Sequence, residues 1–364
     1  MRVNVHKILI IVQRSNGDVF LSSPLINALY EHYNKPEIDL LVNDDTLPIA
    51  KTLKHINDIL TFSYKIKKEN PLKQEFNISK KIYKRYDLSI NLTTSDRSVI
   101  YSILASSYPI SAIENNNNKA WWKKLFLKKS YIFDNTKHIL KNNTMPLNLL
   151  GIPNNTLHVN SFYPENAKRK ITQKLNELGI KNFIIFHPSA QYKYKIYPKD
   201  LRDELLKLLS TLNIPVIITG ANSALDKQIK DELPSYKNIY DFIGETSLDE
   251  LLALSDLSHA YIGMDTLNMH IAAASDKKVF AIFGPTYLSM WSPWSNKQQQ
   301  STRTNTPKQT YGNITIFQAN MPCVACGFAG CDNKHGKSDC LYKIDPKIIY
   351  EEVKKYIQKV FNES

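Results

Sequence analysis

Short runs of aliphatic and β-branched residues, each closed by a polar or glycine-bearing turn and followed by helical periodicity, recur along this chain and confine it to α/β architectures. Lys7–Val12 and residues 38–42, 59–62 and 88–92 read as strands. Helical spacing follows at 23–33, 47–53 and 97–106. The pattern resumes with strands at 183–187, 215–219, 261–264 and 279–283 and helices at 199–212, 224–233 and 248–254. Two such series, separated by the Pro- and Asn-rich stretch 151–166, predict two parallel sheets with helices on both faces. Residues 65–77 are basic and weakly patterned and read as a surface connection. A final helix over 346–361 carries Ile349, Val353, Tyr356, Ile357 and Val360 along one stripe.

The chain has 364 residues, enough for two domains of roughly 150–200 residues each. Its formal charge of +13, from 47 Lys+Arg against 34 Asp+Glu, favours anionic partners. No zinc-finger spacing, RNP-like motif or heptad-linked basic region accompanies that charge, so nucleic acid is not the expected partner. The apolar run at 8–12 is too short for a signal-peptide core or a membrane span, and no other stretch reaches spanning length. The expected location is the cytoplasm. Any contact with a membrane would then be peripheral.

The stretch at 261–274, YIGMDTLNMHIAAA, passes from a strand through an acidic turn into a helix of small residues. A helix starting near Thr266 would offer unpaired N–H groups and a positive dipole end to an anion, and Ala272, Ala273 and Ala274 would let it lie close to the sheet. Asp265 and Thr266 also suit a plain N-cap, and His270 a packing role, so both readings stay open. The strands at 183–187 and 279–283 end in comparable turns, one with Lys193 and Lys195, the other with Gly284 and Thr286. Three such turns at the carboxyl edge of one sheet can converge on a ligand. In the first half, Gly17 and Asp18 close the turn after the first strand. A carboxylate there is either a helix cap or a general base.

Taken in order, these pieces resemble glycosyltransferase family 9, the bacterial ADP-heptose:lipopolysaccharide heptosyltransferases. The resemblance rests on Gly17-Asp18 followed by Leu21 and Pro24, and on HPSA at 187–190 with Lys195-Ile196-Tyr197-Pro198. It extends through Thr219-Gly220-Ala221, Ile243-Gly244 with Ser247-Leu248, Asp265-Thr266 with Met269-His270, and Phe283-Gly284-Pro285-Thr286. It implies a GT-B-type fold of two Rossmann-like, doubly wound domains facing a cleft. An acceptor domain would span 1–160 and a nucleotide-sugar donor domain 161–344, with helix 345–364 returning to the first domain. The implied reaction is inverting transfer of heptose from ADP-heptose to a lipid A-core acceptor at the inner-membrane surface, needing no metal for chemistry. In that scheme Asp18 is the base, and Lys195, Asn222, Asp265, Thr266, His270, Gly284 and Thr286 belong to the donor site. Gly17 and Lys193 would support the turns. Leu267 and Asn268 stand where the family usually has Gly and then Pro or a similar residue, Ser189 where it has Gly, and Tyr197 where Trp is common. These departures bear on the donor sugar. Another nucleotide-sugar donor, a protein acceptor, and a non-catalytic nucleotide-sugar binder are the rival readings.

Two further features stand outside those motifs. Cys323, Cys326, Cys331 and Cys340 follow C-x2-C-x4-C-x8-C, a spacing open to a structural tetrathiolate zinc or iron site, to packing thiols or to redox chemistry. The same loop, 323–340, resembles the tail of heptosyltransferase II- and III-like members. Trp121 and Trp122 beside Lys123 and Lys124 either dock at a lipid interface or pack into the first core.

Overall fold

The structure, a computed structural model, describes residues 5–362. The chain divides between Phe162 and Tyr163 into two compact units. The first holds six parallel strands, β1 (Lys7–Val12), β2 (Glu37–Asn43), β3 (Asp58–Phe62), β4 (Leu88–Asn91), β5 (Pro109–Ile113) and β6 (Lys129–Ile132). Their order, β3-β2-β1-β4-β5-β6, is doubly wound and reverses direction of travel between β1 and β4. Ile8 to Val12 are fully buried, as a central strand covered on both faces requires. Leu9 and Ile11 pack on one face with Leu41, Phe62, Ile78 and Tyr101.

The second unit carries β7 (Ile184–His187), β8 (Val216–Ile218), β9 (Ile239–Asp241), β10 (Ala260–Met264), β11 (Lys278–Ile282), β12 (Lys308–Tyr311) and β13 (Ile314–Phe317). The order is β12-β13-β11-β10-β7-β8-β9, parallel except for the edge pair β12 and β13. Alternate residues serve opposite faces. Phe186, Ile218, Ile262 and Phe280 pack towards Leu205 and Leu209, whereas Ile185, Ile217, Tyr261 and Val279 pack towards Ile171, Leu175 and Ala272. The reversal here lies between β7 and β10. Gly263 sits at that junction because a side chain there would meet the His187 carbonyl oxygen at 2.7 Å and the Tyr261 hydroxyl at 2.5 Å.

Two expectations need correction. Residues 65–77 form most of two helices, Tyr64–Glu69 and Pro71–Ile82. Asn70 caps the second, and Gln74, Ile78 and Ile82 are its buried face, with Gln74 bonded to both N and O of Ser63. A polar residue on the hidden stripe masks the helical period in the sequence. The last helix, Pro346–Asn362, packs within the second unit: Ile349, Val353 and Ile357 share a core with Leu205 and Leu209, and the Tyr356 hydroxyl donates to the His259 carbonyl. The pair Trp121 and Trp122 splits. Trp121 is 62% exposed on helix Asn117–Phe126, whereas Trp122 packs against Val99, Ile113 and Leu127. Lys123 is not on the surface at all: its buried ammonium is ion-paired with Asp96 and Glu114 and donates to the Thr94 carbonyl. Among the described residues no helix is long and apolar enough to cross a membrane.

Candidate active site

In the first unit the chain leaves β1 through Gln13, Arg14 and Ser15 into the short helix Asn16–Phe20, which holds Asp18. Gly17 is half-buried beside it. Asp18 is 3% exposed. Ser15 donates to its Oδ2 from both N, at 3.2 Å, and Oγ, at 2.6 Å. Arg14 Nε lies 2.7 Å from Oδ1, and the guanidinium is held over the Phe133 ring at 4.6 Å. Asn143 Nδ2 donates to the Asp18 and Leu21 carbonyls and anchors the helix from below. The capping reading is thus realised in part, since the carboxylate bonds the Ser15 N–H. It coexists with a buried, charge-balanced carboxylate at the carboxyl end of the central strand, where a general base would stand.

In the second unit, register places His187 of β7 opposite Gly263 of β10, so the turns after both strands start at one level. Lys195 from the first turn bonds Asp265 from the second at 2.9 Å. Burial opposes the ammonium, but the Asp265 charge and their hydrogen bond outweigh it and raise the Lys195 pKa. Thr266 has the extended backbone of an N-cap and opens helix Leu267–Ala274, with its buried hydroxyl beside that of Tyr261. His270 is buried one turn further on, its Nδ1 without a described partner. An arriving anion would therefore find a cation, a helix start and a hydroxyl together.

The remaining expected donor residues are placed differently. Gly284 is buried, and the space a side chain would take there is filled by Leu341 at 3.0 Å. Thr286 is half-buried in the same turn, while Lys193 is exposed beside Lys195. Asn222 lies in an exposed turn after β8, close to Gly244, with no described bond to the Lys195–Asp265 pair.

Sequence reasoning passed over His187 and Asn268. The His187 ring lies 3.0 Å from Thr219 Oγ1, and Asn268 Nδ2 donates to it at 3.0 Å. Asn268, where the family pattern has a small residue or proline, thus fixes the β7 turn to the helix after β10. The signal was the HPSA turn itself, whose histidine ends a buried strand.

Burial lowers the pKa of both His187 and His270 from 6.5 to about 4, so both rings are neutral at pH 7. Between those values the unfolded chain binds protons that the native state does not. Stability is then complete above pH 6.5 and is lost as pH falls towards 4. Each ring should cost ~2 kcal/mol of stability between pH 7.5 and pH 5. Thermal melting at the two pH values checks this: His187→Gln/His270→Gln should narrow the difference in Tm, and an unchanged difference rejects the assignment.

The metal reading of the four cysteines gains no support from their placement. Among the described residues no three His, Cys, Asp or Glu side chains are placed to hold an ion. Cys323 and Cys331 are exposed, whereas Cys340 is buried in the core with Leu341 and Ile344, where burial pushes its thiol up to about 11. Cys331, Cys326 and Cys323 add to that rise, so the four thiols lie near one another. The loop also buttresses the Lys195 turn. Ser338 Oγ donates to the Tyr194 carbonyl at 2.7 Å, His335 stacks on Tyr192, and Gly327 N donates to the Pro285 carbonyl.

Two doubly wound units, with a clamped carboxylate at the carboxyl edge of one and a paired lysine beside a helix start in the other, make a GT-B-type fold. The sequence model of glycosyltransferase family 9 (heptosyltransferase) matches residues 76–318. Lipopolysaccharide heptosyltransferase 3 of Escherichia coli K12 is 30% identical over 78% of this chain and 83% of its own length. The chain belongs to glycosyltransferase family 9. A family 9 glycosyltransferase from Veillonella parvula superposes with a TM-score of 0.77 at 14% identity, over 99% of both chains. E. coli ADP-heptose lps heptosyltransferase II gives 0.73 at 19% identity, over 98% of this chain and 100% of that one.

Proposed function

We propose that this enzyme transfers heptose from ADP-heptose to a hydroxyl of the lipopolysaccharide or lipooligosaccharide core, with inversion and without metal chemistry. The observation that carries the reading is the buried Asp18, fixed by Ser15 and Arg14 immediately after the central strand. The acceptor oxygen attacks the anomeric carbon as the bond from that carbon to the diphosphate breaks. Asp18 takes the hydroxyl proton, and ADP leaves with the bonding electrons. Lys195 and the N–H groups opening helix Leu267–Ala274 stabilise charge on the leaving diphosphate. Both relatives named above for their activity are heptosyltransferases, which supports the donor. The engagement of Asn268 with His187 favours transfer of a different nucleotide-activated sugar as the second reading.

The test is ADP release from ADP-heptose, with UDP- and GDP-sugars as comparison donors, using a core-truncated acceptor either deacylated or embedded in anionic vesicles. Acceptor-dependent release confined to ADP-heptose is the expected result, and turnover confined to another donor overturns the sugar assignment. Peripheral membrane contact through the exposed Trp121 predicts that Trp121→Ala lowers the rate severalfold in vesicles only. Equal rates in vesicles remove that contact from the proposal.

A further inference from the structure

A second cluster lies at the carboxyl edge of the first sheet, on the loop that leads to Asp18, and the mechanism above does not use it. Gln13 follows β1, and its backbone N donates to Thr93 Oγ1 beyond β4, bridging the point where the strand order reverses. Arg97, in the first turn of helix Asp96–Ala105, has its guanidinium over Phe62 at 3.6 Å from the ring centroid and donates to the Tyr64 hydroxyl and to Gln13 Oε1. None of these partners is anionic. The neighbouring carboxylate, Asp96, is taken by Lys123. With Gln13 Oε1 committed to Arg97, its Nε2 is left buried without a partner, although the residue is only 6% exposed. Asn43, at the end of β2, donates to the Arg14 carbonyl, and its buried Oδ1 is likewise unmatched. Buried amide groups rarely stay unpaired, and an aromatic-clamped arginine without a carboxylate is a preorganised fork for an oxyanion.

We propose that Arg97 and Gln13 form an oxyanion-binding subsite for a phosphate or carboxylate carried by the acceptor sugar, with Asn43 Oδ1 accepting from a neighbouring hydroxyl. This rests on the acceptor reading of the first unit and adds to it the group that is recognised. The fork of Arg97 and the Gln13 Nε2–H supply the donors. Because Gln13 adjoins Arg14, which pairs with Asp18, an oxyanion bound there sets which acceptor hydroxyl reaches the carboxylate.

The experiment is titration calorimetry of a deacylated, core-truncated oligosaccharide in three forms: intact, dephosphorylated and carboxyl-reduced. Wild type is compared with Arg97→Met and with the near-isosteric Gln13→Glu, which supplies Arg97 with an internal carboxylate. Both variants should bind the intact form about tenfold to a hundredfold more weakly, the loss of a charge-assisted pair. Wild type and variants should bind equally well the one form lacking the recognised group, and that form identifies it. Equal weakening across all three forms, or none in any, overturns the subsite. A raised KM for the nucleotide-sugar with unchanged acceptor affinity also overturns it, by assigning the oxyanion to the donor. The readout is binding, so failure of ADP-heptose turnover would remove the donor assignment while leaving this discrimination to be read on its own. Arg97→Lys and matched melting temperatures control for misfolding.

Discussion

Asp18→Asn should lower acceptor-dependent ADP release by about 10²–10⁴-fold, the range of a lost general base, with donor affinity unchanged. An amide keeps the volume and can still accept from Ser15, so the turn after β1 should persist. What it loses is the capacity to take a proton and the charge opposite Arg14 at 2.7 Å. An amide opposite a half-buried guanidinium is the poorer partner, so a modest fall in Tm should accompany the loss of rate. Donor titration separates the two effects. A variant that melts normally and binds ADP normally but does not turn over supports the base. One that retains turnover within a few fold of wild type removes Asp18 from the chemistry and leaves only its capping role.

Lys195→Met should lower kcat by about 10²–10³-fold, as expected where a preorganised group that stabilises leaving-group charge is removed, and should weaken ADP binding as well. The ammonium is held by Asp265 at 2.9 Å, and Asp265 is itself only 7% exposed. Removing the lysine alone strands a buried carboxylate next to the diphosphate position, so repulsion adds to the lost attraction. The double variant Lys195→Met/Asp265→Asn relieves that repulsion and should recover ADP binding in part without recovering kcat. If the single and double variants match wild type in kcat, the pair is a structural tie between two turns and not part of the donor site.

Both positions were legible in the sequence, for different reasons. Asp18 follows a short apolar strand and precedes a helix, and the doubly wound pattern puts any such turn at the ligand edge of a sheet. Lys195 and Asp265 are seventy positions apart, and nothing in their spacing says that they touch. Their pairing follows from the adjacency of β7 and β10, which is a property of strand order. Residues whose role is to complete another residue's bonding were the ones missed. Arg14, Arg97, His187 and Asn268 occur in a loop, in first turns of helices or at a strand end, where a polar side chain is unremarked until its partner is known. Lys123 shows the opposite failure: an apparently surface lysine next to two tryptophans is buried because two carboxylates from elsewhere in the unit meet it.

The cysteine loop makes the same point about spacing. The intervals of the four thiols invite a metal but do not tell that Cys340 sits in the core with Leu341 and Ile344, or that the loop is tied by hydrogen bonds and ring stacking to the turn that carries Lys195.

By itself the sequence determined the fold class, the two series of parallel strands and the turns that bear the candidate site, because apolar periodicity and turn residues act over a few neighbours. The tertiary structure decided which turns meet, which charges are paired or left without an anion, and which helix belongs to which unit. Those outcomes depend on the order in which strands add to a sheet, and hydrogen bonding and burial across that order join residues that the chain itself keeps far apart.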